Sequence, residues 1–105
     1  LAAKLPGEFN DLLGIMSTTA IPAFHAGVGD REQLQMSAKF MAAGVVAKLP
    51  LDMVAREAAM LIEGRSGAHN VLGMRLMGLH GSSAEAFNKM DAPERMALLK
   101  NAGAI

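Results

Sequence analysis

The sequence contains no cysteine. Disulfide frameworks, thiolate zinc sites and cysteine nucleophiles are therefore excluded. Trp and Tyr are also absent, and the aromatic content is limited to four Phe. Neither sign of charge is in excess, since ten Lys and Arg balance ten Asp and Glu. Because the cations are scattered and form no basic stripe that could follow a row of phosphates, we expect no nucleic-acid partner.

A run of apolar residues that could cross a membrane is also missing. The longest stretch without a charged residue, 12–29, has 18 residues and is near the length of a bilayer span. It contains Pro22, three hydroxyl side chains and three glycines, whose polar groups would have to be satisfied inside hydrocarbon. We therefore expect no membrane-spanning helix. The absence of cysteine leaves the compartment open between the cytoplasm and secretion without disulfides.

The composition is that of a folded domain. Apolar residues make up 51% of the 105 residues and charged residues 19%, which is enough for one packed core. We expect a single helical domain over residues 1–105. Because the chain begins with Leu1 and not with methionine, we also expect it to be a fragment of a longer protein.

Capping signals divide the chain into helices. Three pairs have the spacing of a capping box: Asp30 with Gln33, Ser82 with Glu85, and Asp91 with Glu94. Glycines at positions 64, 81 and 103 favour helix ends. These signals predict helices near 8–17, 31–48, 50–63, 67–80, 83–90 and 92–102, with a longer loop over 18–29. The short connections favour an all-α fold, a compact irregular or orthogonal bundle of about five to six short helices.

Apolar spacing predicts which side of the second and third helices faces the core. In the second helix the predicted inward stripe is Leu34, Ala38, Met41, Val45 and Leu49. In the third helix it is Val54, Ala58, Leu61 and Ile62. Both patterns are typical of amphipathic helices packed on one side.

Methionine is unusually frequent, with nine residues. Methionine is flexible and polarizable, so it can fill gaps in a core or form an adaptable surface for a partner helix. The candidates for a partner-binding groove are Met53 and Met60 in the third helix and Met74 and Met77 in the fourth. Core filling is the alternative interpretation of the same residues.

Arg75 is the only full charge between Arg65 and Glu85 and is surrounded by Leu and Met. Its guanidinium has five donors in a fixed fork, which suits a carboxylate or a phosphate on a partner. Alternatively, its stem covers apolar surface while its head reaches water. We include Arg75 among the predicted partner-binding residues.

No motif indicates catalysis or a bound metal. The histidines at 25, 69 and 80 are too few and too widely spaced to define a metal site. The serines lack the context of a nucleophile, and no acid–base constellation is visible. We expect no cofactor, no metal and no catalytic residue.

The stretch 49–79, about a third of the chain, resembles part of the helical GTPase-activating domains of bacterial type III effectors. The resemblance is carried by the following residues: Ala55-Arg56-Glu57, Gly64, Ala68, Leu72 and Gly78-Leu79. Those domains depend on a Gly-x-Leu-Arg motif for their catalytic arginine, and the matching place here falls at Asn70. The resemblance therefore implies a secreted effector among the possible contexts and does not imply the activity.

Three functions remain open. The first is a non-enzymatic helical protein–protein interaction module, with a groove lined by Met and Leu of the third and fourth helices. The second is a regulator that uses Arg75 or Arg65 toward a phosphate-bearing partner such as a GTPase. The third is a structural or oligomerisation domain of a larger protein.

Overall fold

Six α-helices contain most of the residues that the computed structural model describes, which are 6–67 and 70–102. They are α1 (Pro6–His25), α2 (Asp30–Val46), α3 (Leu51–Glu63), α4 (Val71–Met77), α5 (Ser82–Lys89) and α6 (Ala92–Asn101). No strand occurs within the described residues. The predicted all-α bundle is confirmed. No helix in the described part of the chain is both long and apolar enough to cross a bilayer.

The bundle is organised around α1 and α3, which form its most extensive interhelical contact. The two helices run parallel, because Asp11 near the start of α1 lies close to Val54 near the start of α3. At the other end, His25 of α1 lies close to Ile62 of α3. α2 packs against both helices, and α4 and α6 also pack against α3. All six helices contribute to one core, through Ile15, Met36, Phe40, Leu61, Ile62, Leu72, Phe87 and Leu99.

The first helix extends well beyond its predicted end. The loop predicted over 18–29 is wrong, because α1 continues through Pro22 to His25. A proline inside a helix removes one backbone hydrogen bond. The cost is offset by packing, since α1 buries four residues at helical spacing: Leu12, Ile15, Thr19 and Ala23. The helix ends where Gly27 takes a φ of +78° and the Val28 N–H donates to the Ala23 carbonyl at 2.9 Å.

The predicted core stripe of α2 is partly right, because Met41 and Leu49 pack against the core, but the centre of the buried face lies one residue earlier. The buried residues are Met36, Ser37, Phe40 and Gly44, whereas Leu34 is exposed and Val45 is 72% exposed. Most of the predicted stripe lies one position further along the chain, which is a rotation of about 100° around the helix. The true face includes serine and glycine because α2 meets α3 closely there. A Cβ on Gly44 would overlap the Val54 side chain.

The predicted capping box of Asp30 and Gln33 is also wrong. The N-cap of α2 is Gly29, and the Glu32 carboxylate accepts a hydrogen bond from its N–H at 3.3 Å. Gln33 faces α1 instead, where its side-chain amide donates to the Met16 carbonyl at 2.9 Å and to the Thr19 hydroxyl at 3.2 Å. Gln33, which the sequence pattern assigned to a helix cap, therefore forms an interhelical contact instead.

The predicted core face of α3, the predicted end of α3 and the predicted start of α6 are confirmed. Val54, Ala58, Leu61 and Ile62 of α3 are buried as predicted, and the helix ends at Gly64 with a φ of +74°. Asp91 caps α6 as predicted, since its carboxylate accepts from the Glu94 N–H at 3.1 Å.

The fourth helix is shorter than predicted. It spans 71–77, because Asn70 caps its start and Gly78, with a φ of +66°, ends it before Gly81. Positions 68, 69 and 103 lie outside the described residues. The box of Ser82 with Glu85 is wrong, because Gly81 is the N-cap of α5.

Candidate functional site

The residues predicted to bind a partner lie on α3 and α4. Met53, Met60 and Met77 are half-buried, and Met77 packs against the core. Met74 and Arg75 are exposed. Arg75 forms no hydrogen bond or ion pair with any described residue. None of these five residues lines either of the two cavities described below.

The nine methionines lie mainly at the edge of the core. Met36 is fully buried, Met74 is exposed, and the other seven are half-buried. This distribution matches gap filling around the core, which is one of the two interpretations of the methionine content.

A cleft of about 350 Å³ lies where the C-terminal ends of α1 and α3 meet the start of α6. We call it the Arg95 cleft. Its apolar walls are Ile21, Pro22, Ala26, Ile62 and Ala92. Its polar residues are His25, Glu63 and Arg95. A concave site with apolar walls and a few polar groups is the usual form of a binding site.

Arg95 is the buried arginine of this protein, at 9% exposure. Its Nε and Nη2 donate to the Ile62 carbonyl at 3.3 and 3.2 Å, and its Nη1 donates to the Met90 carbonyl. The Ile62 carbonyl belongs to the last turn of α3, where the helix dipole favours a cation. Gly64 makes room for the guanidinium, because a Cβ there would lie 2.7 Å from Arg95 Cζ.

The buried arginine of the described residues is Arg95, a residue that the sequence analysis did not single out. Arg75 stands alone among apolar residues in the sequence, and its exposure agrees with the interpretation in which its head reaches water. Arg95 follows a capping motif and reads as a surface charge. One signal was available, because Arg95 precedes the apolar Leu99 by four residues and so shares its helix face.

The Arg95 cleft carries an uncompensated positive charge within the described residues. Glu63 lines the cleft, but its carboxylate pairs with Arg65 Nη2 at 3.1 Å. In the part of the chain that the structure describes, no carboxylate lies within 4.0 Å of the Arg95 guanidinium. Among residues 6–67 and 70–102, Arg95 is held by carbonyl dipoles without a carboxylate, so its positive charge is available to a negatively charged partner group.

Ile21, which lines the cleft, and Phe24, three residues further along α1, are large apolar side chains that remain exposed. Ile21 is 70% exposed and Phe24 is 80% exposed. Residues three apart lie on the same face of a helix, so these two form one apolar surface. We call this surface, with the Arg95 cleft beside it, the α1 face.

A second cavity of about 300 Å³ lies at the other end of the α1–α3 contact. It is lined by Asp11, Met41, Val45, Leu49, Leu51 and Val54. Val45 is 72% exposed, and its chain neighbour Val46 is 66% exposed. Asp11 is the one charged side chain among the described lining residues and is itself exposed, so these residues provide no buried polar group to orient a ligand. The Arg95 cleft is the better candidate site.

The place that matches the arginine motif of the GTPase-activating domains has a structural role. The Asn70 side chain accepts a hydrogen bond from the Gly73 N–H at 2.8 Å and donates to the Glu57 carbonyl at 3.2 Å. The Glu57 carboxylate accepts from the Leu72 N–H at 3.1 Å. Two side chains therefore satisfy the free backbone donors at the start of α4.

Among the described residues, no three His, Cys, Asp or Glu side chains are grouped so that they could hold a metal ion. Comparisons with protein-family models, with curated proteins and with solved structures found no match for this chain.

Proposed function

We propose that this chain is a helical protein-interaction domain that binds its partner through the α1 face. The observation that carries the proposal is the exposure of Ile21 and Phe24, at 70% and 80%, beside the Arg95 cleft. Contiguous exposed apolar surface next to a concavity is characteristic of protein-binding sites, and aromatic residues are frequent at their centres.

The expected contribution of this surface to binding is substantial. Burying a large apolar side chain is worth about 1.5–3 kcal/mol, and roughly three quarters of each side chain remains to be buried. Covering Ile21 and Phe24 should therefore contribute roughly 3 kcal/mol, which corresponds to about a 100-fold change in Kd.

The α1 face is distinct from the groove predicted from the methionines. Met53, Met60, Met74 and Met77 belong to α3 and α4, and they do not line the Arg95 cleft. We retain the interaction function and place its site on α1, because that surface combines exposed apolar side chains with a buried polar anchor.

The test compares two double variants with the unaltered chain. Ile21→Ser/Phe24→Ser removes the apolar part of the α1 face. Val45→Ser/Val46→Ser is the matched control at the other end of the bundle. All four side chains are at least 66% exposed, so both variants should fold, which circular dichroism and the Tm will verify.

Each immobilised protein is incubated with cell extract from the source organism, and the retained proteins are quantified by mass spectrometry. We expect at least one protein to be retained by the unaltered chain and the control and lost with Ile21→Ser/Phe24→Ser. The purified partner should then bind that variant about 100-fold more weakly. If every retained protein binds both variants equally, the α1 face is not the interaction site.

Light scattering across a concentration series is measured first. If the unaltered chain self-associates and Ile21→Ser/Phe24→Ser alone abolishes this, the partner is a second copy of the chain. That result would support the structural or oligomerisation function.

A further inference from the structure

We propose that the partner inserts a glutamate or aspartate side chain into the Arg95 cleft, flanked by apolar residues that cover Ile21 and Phe24. This inference rests on the proposed interaction function and specifies the chemistry of the partner.

The Arg95 guanidinium has donors to spare. A guanidinium carries five N–H groups. Three of them are used by backbone carbonyls, two by Ile62 and one by Met90. Within the described part of the chain, one N–H on Nη1 and one on Nη2 therefore have no hydrogen-bond partner and remain for a ligand. Because arginine recognises carboxylates through pairs of such donors, the unused groups suit a carboxylate.

The charge of the cleft selects an anion. Arg95 is nine-tenths buried and has no carboxylate within 4.0 Å among the described residues. A desolvated cation gains from a counter-charge that arrives in a water-poor environment. Glu63 also lines the cleft, and its negative charge repels an incoming carboxylate. Its ion pair with Arg65 offsets part of this repulsion.

The walls of the cleft favour an acidic side chain over a chain terminus. A C-terminal carboxylate would bring its own backbone N–H and C=O groups into the cleft, and these need partners. The walls are mainly apolar, and among the described lining residues His25 and Glu63 are the polar side chains besides Arg95. The methylene stem of a glutamate or aspartate needs no hydrogen bond and suits the walls formed by Ile21, Pro22 and Ala26.

The test uses three short peptides and the ¹⁵N-labelled chain. The probes are acetyl-Leu-Glu-Leu-amide, acetyl-Leu-Gln-Leu-amide, and acetyl-Leu-Gln-Leu with a free C-terminal carboxylate. NMR follows the Arg95 Nε–H signal and the backbone amides of Glu63 and Ala92. We expect the glutamate peptide to shift these signals with a Kd on the order of millimolar, and the blocked glutamine peptide to bind about 10-fold more weakly.

The variant Glu63→Gln tests the sign of the charge without disturbing Arg95. Glu63 is exposed, so its substitution should leave the fold intact. Removing this like charge should tighten binding of the glutamate peptide at least about twofold and leave the blocked glutamine peptide unchanged. Arg95→Met should abolish the difference between these two peptides in any fraction of the variant that folds.

Each contrary result has a specific meaning. Equal binding of the blocked glutamate and glutamine peptides would overturn the inference and leave the α1 face as an apolar docking surface. Stronger binding of the peptide with the free terminus would overturn the choice of a side chain. Absence of shifts with all three peptides at about 10 mM would also overturn the inference. The capture experiment with Ile21→Ser/Phe24→Ser would still decide the proposed function separately.

Discussion

Because α2 and α3 cross closely at Gly44, we expect a substitution by alanine to destabilise the protein at Gly44 and to stabilise it at Gly14. Gly44 is buried, and a Cβ there would overlap Val54 Cγ2. Gly14 lies in α1, is exposed, and would place a Cβ with nothing within 4 Å. Gly14→Ala and Gly44→Ala therefore make the same chemical change with and without a neighbouring helix.

The magnitudes follow from two effects. Replacing glycine by alanine inside a helix stabilises it by about 1 kcal/mol. At Gly14 this effect acts alone, so Gly14→Ala should raise the free energy of unfolding by about 1 kcal/mol. At Gly44 the overlap lies between two packed helices and should cost about 3 kcal/mol, because the helices have to separate. The net expectation for Gly44→Ala is a loss of about 2 kcal/mol, or roughly 10 °C in Tm.

The assay is urea unfolding followed by circular dichroism, since the chain has no Trp or Tyr for fluorescence. Val54→Ala removes the methyl groups that Gly44→Ala would strike. In that background, Gly44→Ala should become neutral or stabilising, which corresponds to a coupling of about 3 kcal/mol between the two sites. The predicted overlap with Val54 would be refuted if the Gly44→Ala variant were as stable as the unaltered chain. It would also be refuted if Gly44→Ala destabilised the Val54→Ala variant as much as it destabilises the unaltered chain.

Three further predictions concern single side chains, all measured by urea unfolding. Arg95→Met should lower the free energy of unfolding by about 2–4 kcal/mol, because two carbonyls lose their guanidinium donors. Arg75→Met, at an exposed position, should change the free energy of unfolding by less than about 0.5 kcal/mol. Equal effects of the two variants would contradict the buried role of Arg95. Lys48→Gly should raise it by about 1 kcal/mol, because Lys48 has a φ of +59°, and a lower stability would argue against strain at this helix end. Asn70→Ala should lower it by about 1–2 kcal/mol and speed hydrogen exchange at the start of α4, while Ser82→Ala, at a position with no capping bond, serves as the neutral control. Similar losses for these two alanine variants would show that the Asn70 cap contributes little.

Part of this fold could be predicted from the sequence because it depends on local chemistry. The helical class follows from apolar spacing and from the lack of strand signals. Gly64 ends α3 because glycine adopts the left-handed conformation without steric cost, and Asp91 begins α6 because its carboxylate binds a free N–H three residues later. The core face of α3 was also readable, since its apolar residues all lie on one side.

The errors occur where interhelical packing outweighs a local signal. Pro22 and the glycines after it indicated a loop, yet burial along α1 keeps the helix intact to His25. Gln33 had the spacing of a cap, yet it binds α1. The face of α2 was misassigned because Gly44 is buried for its small size, a property that a hydrophobic pattern does not record.

The candidate site also depends on interhelical packing, which local sequence signals do not predict. The helical class, the balanced charge, the high methionine content and the ends of several helices follow from composition and from residues within one helical turn, so they can be read without a structure. Interhelical packing sets which arginine is buried, which apolar residues stay exposed and where a cleft forms. Those outcomes depend on contacts between α1, α3 and α6, whose residues are tens of positions apart, and no local pattern encodes such distances.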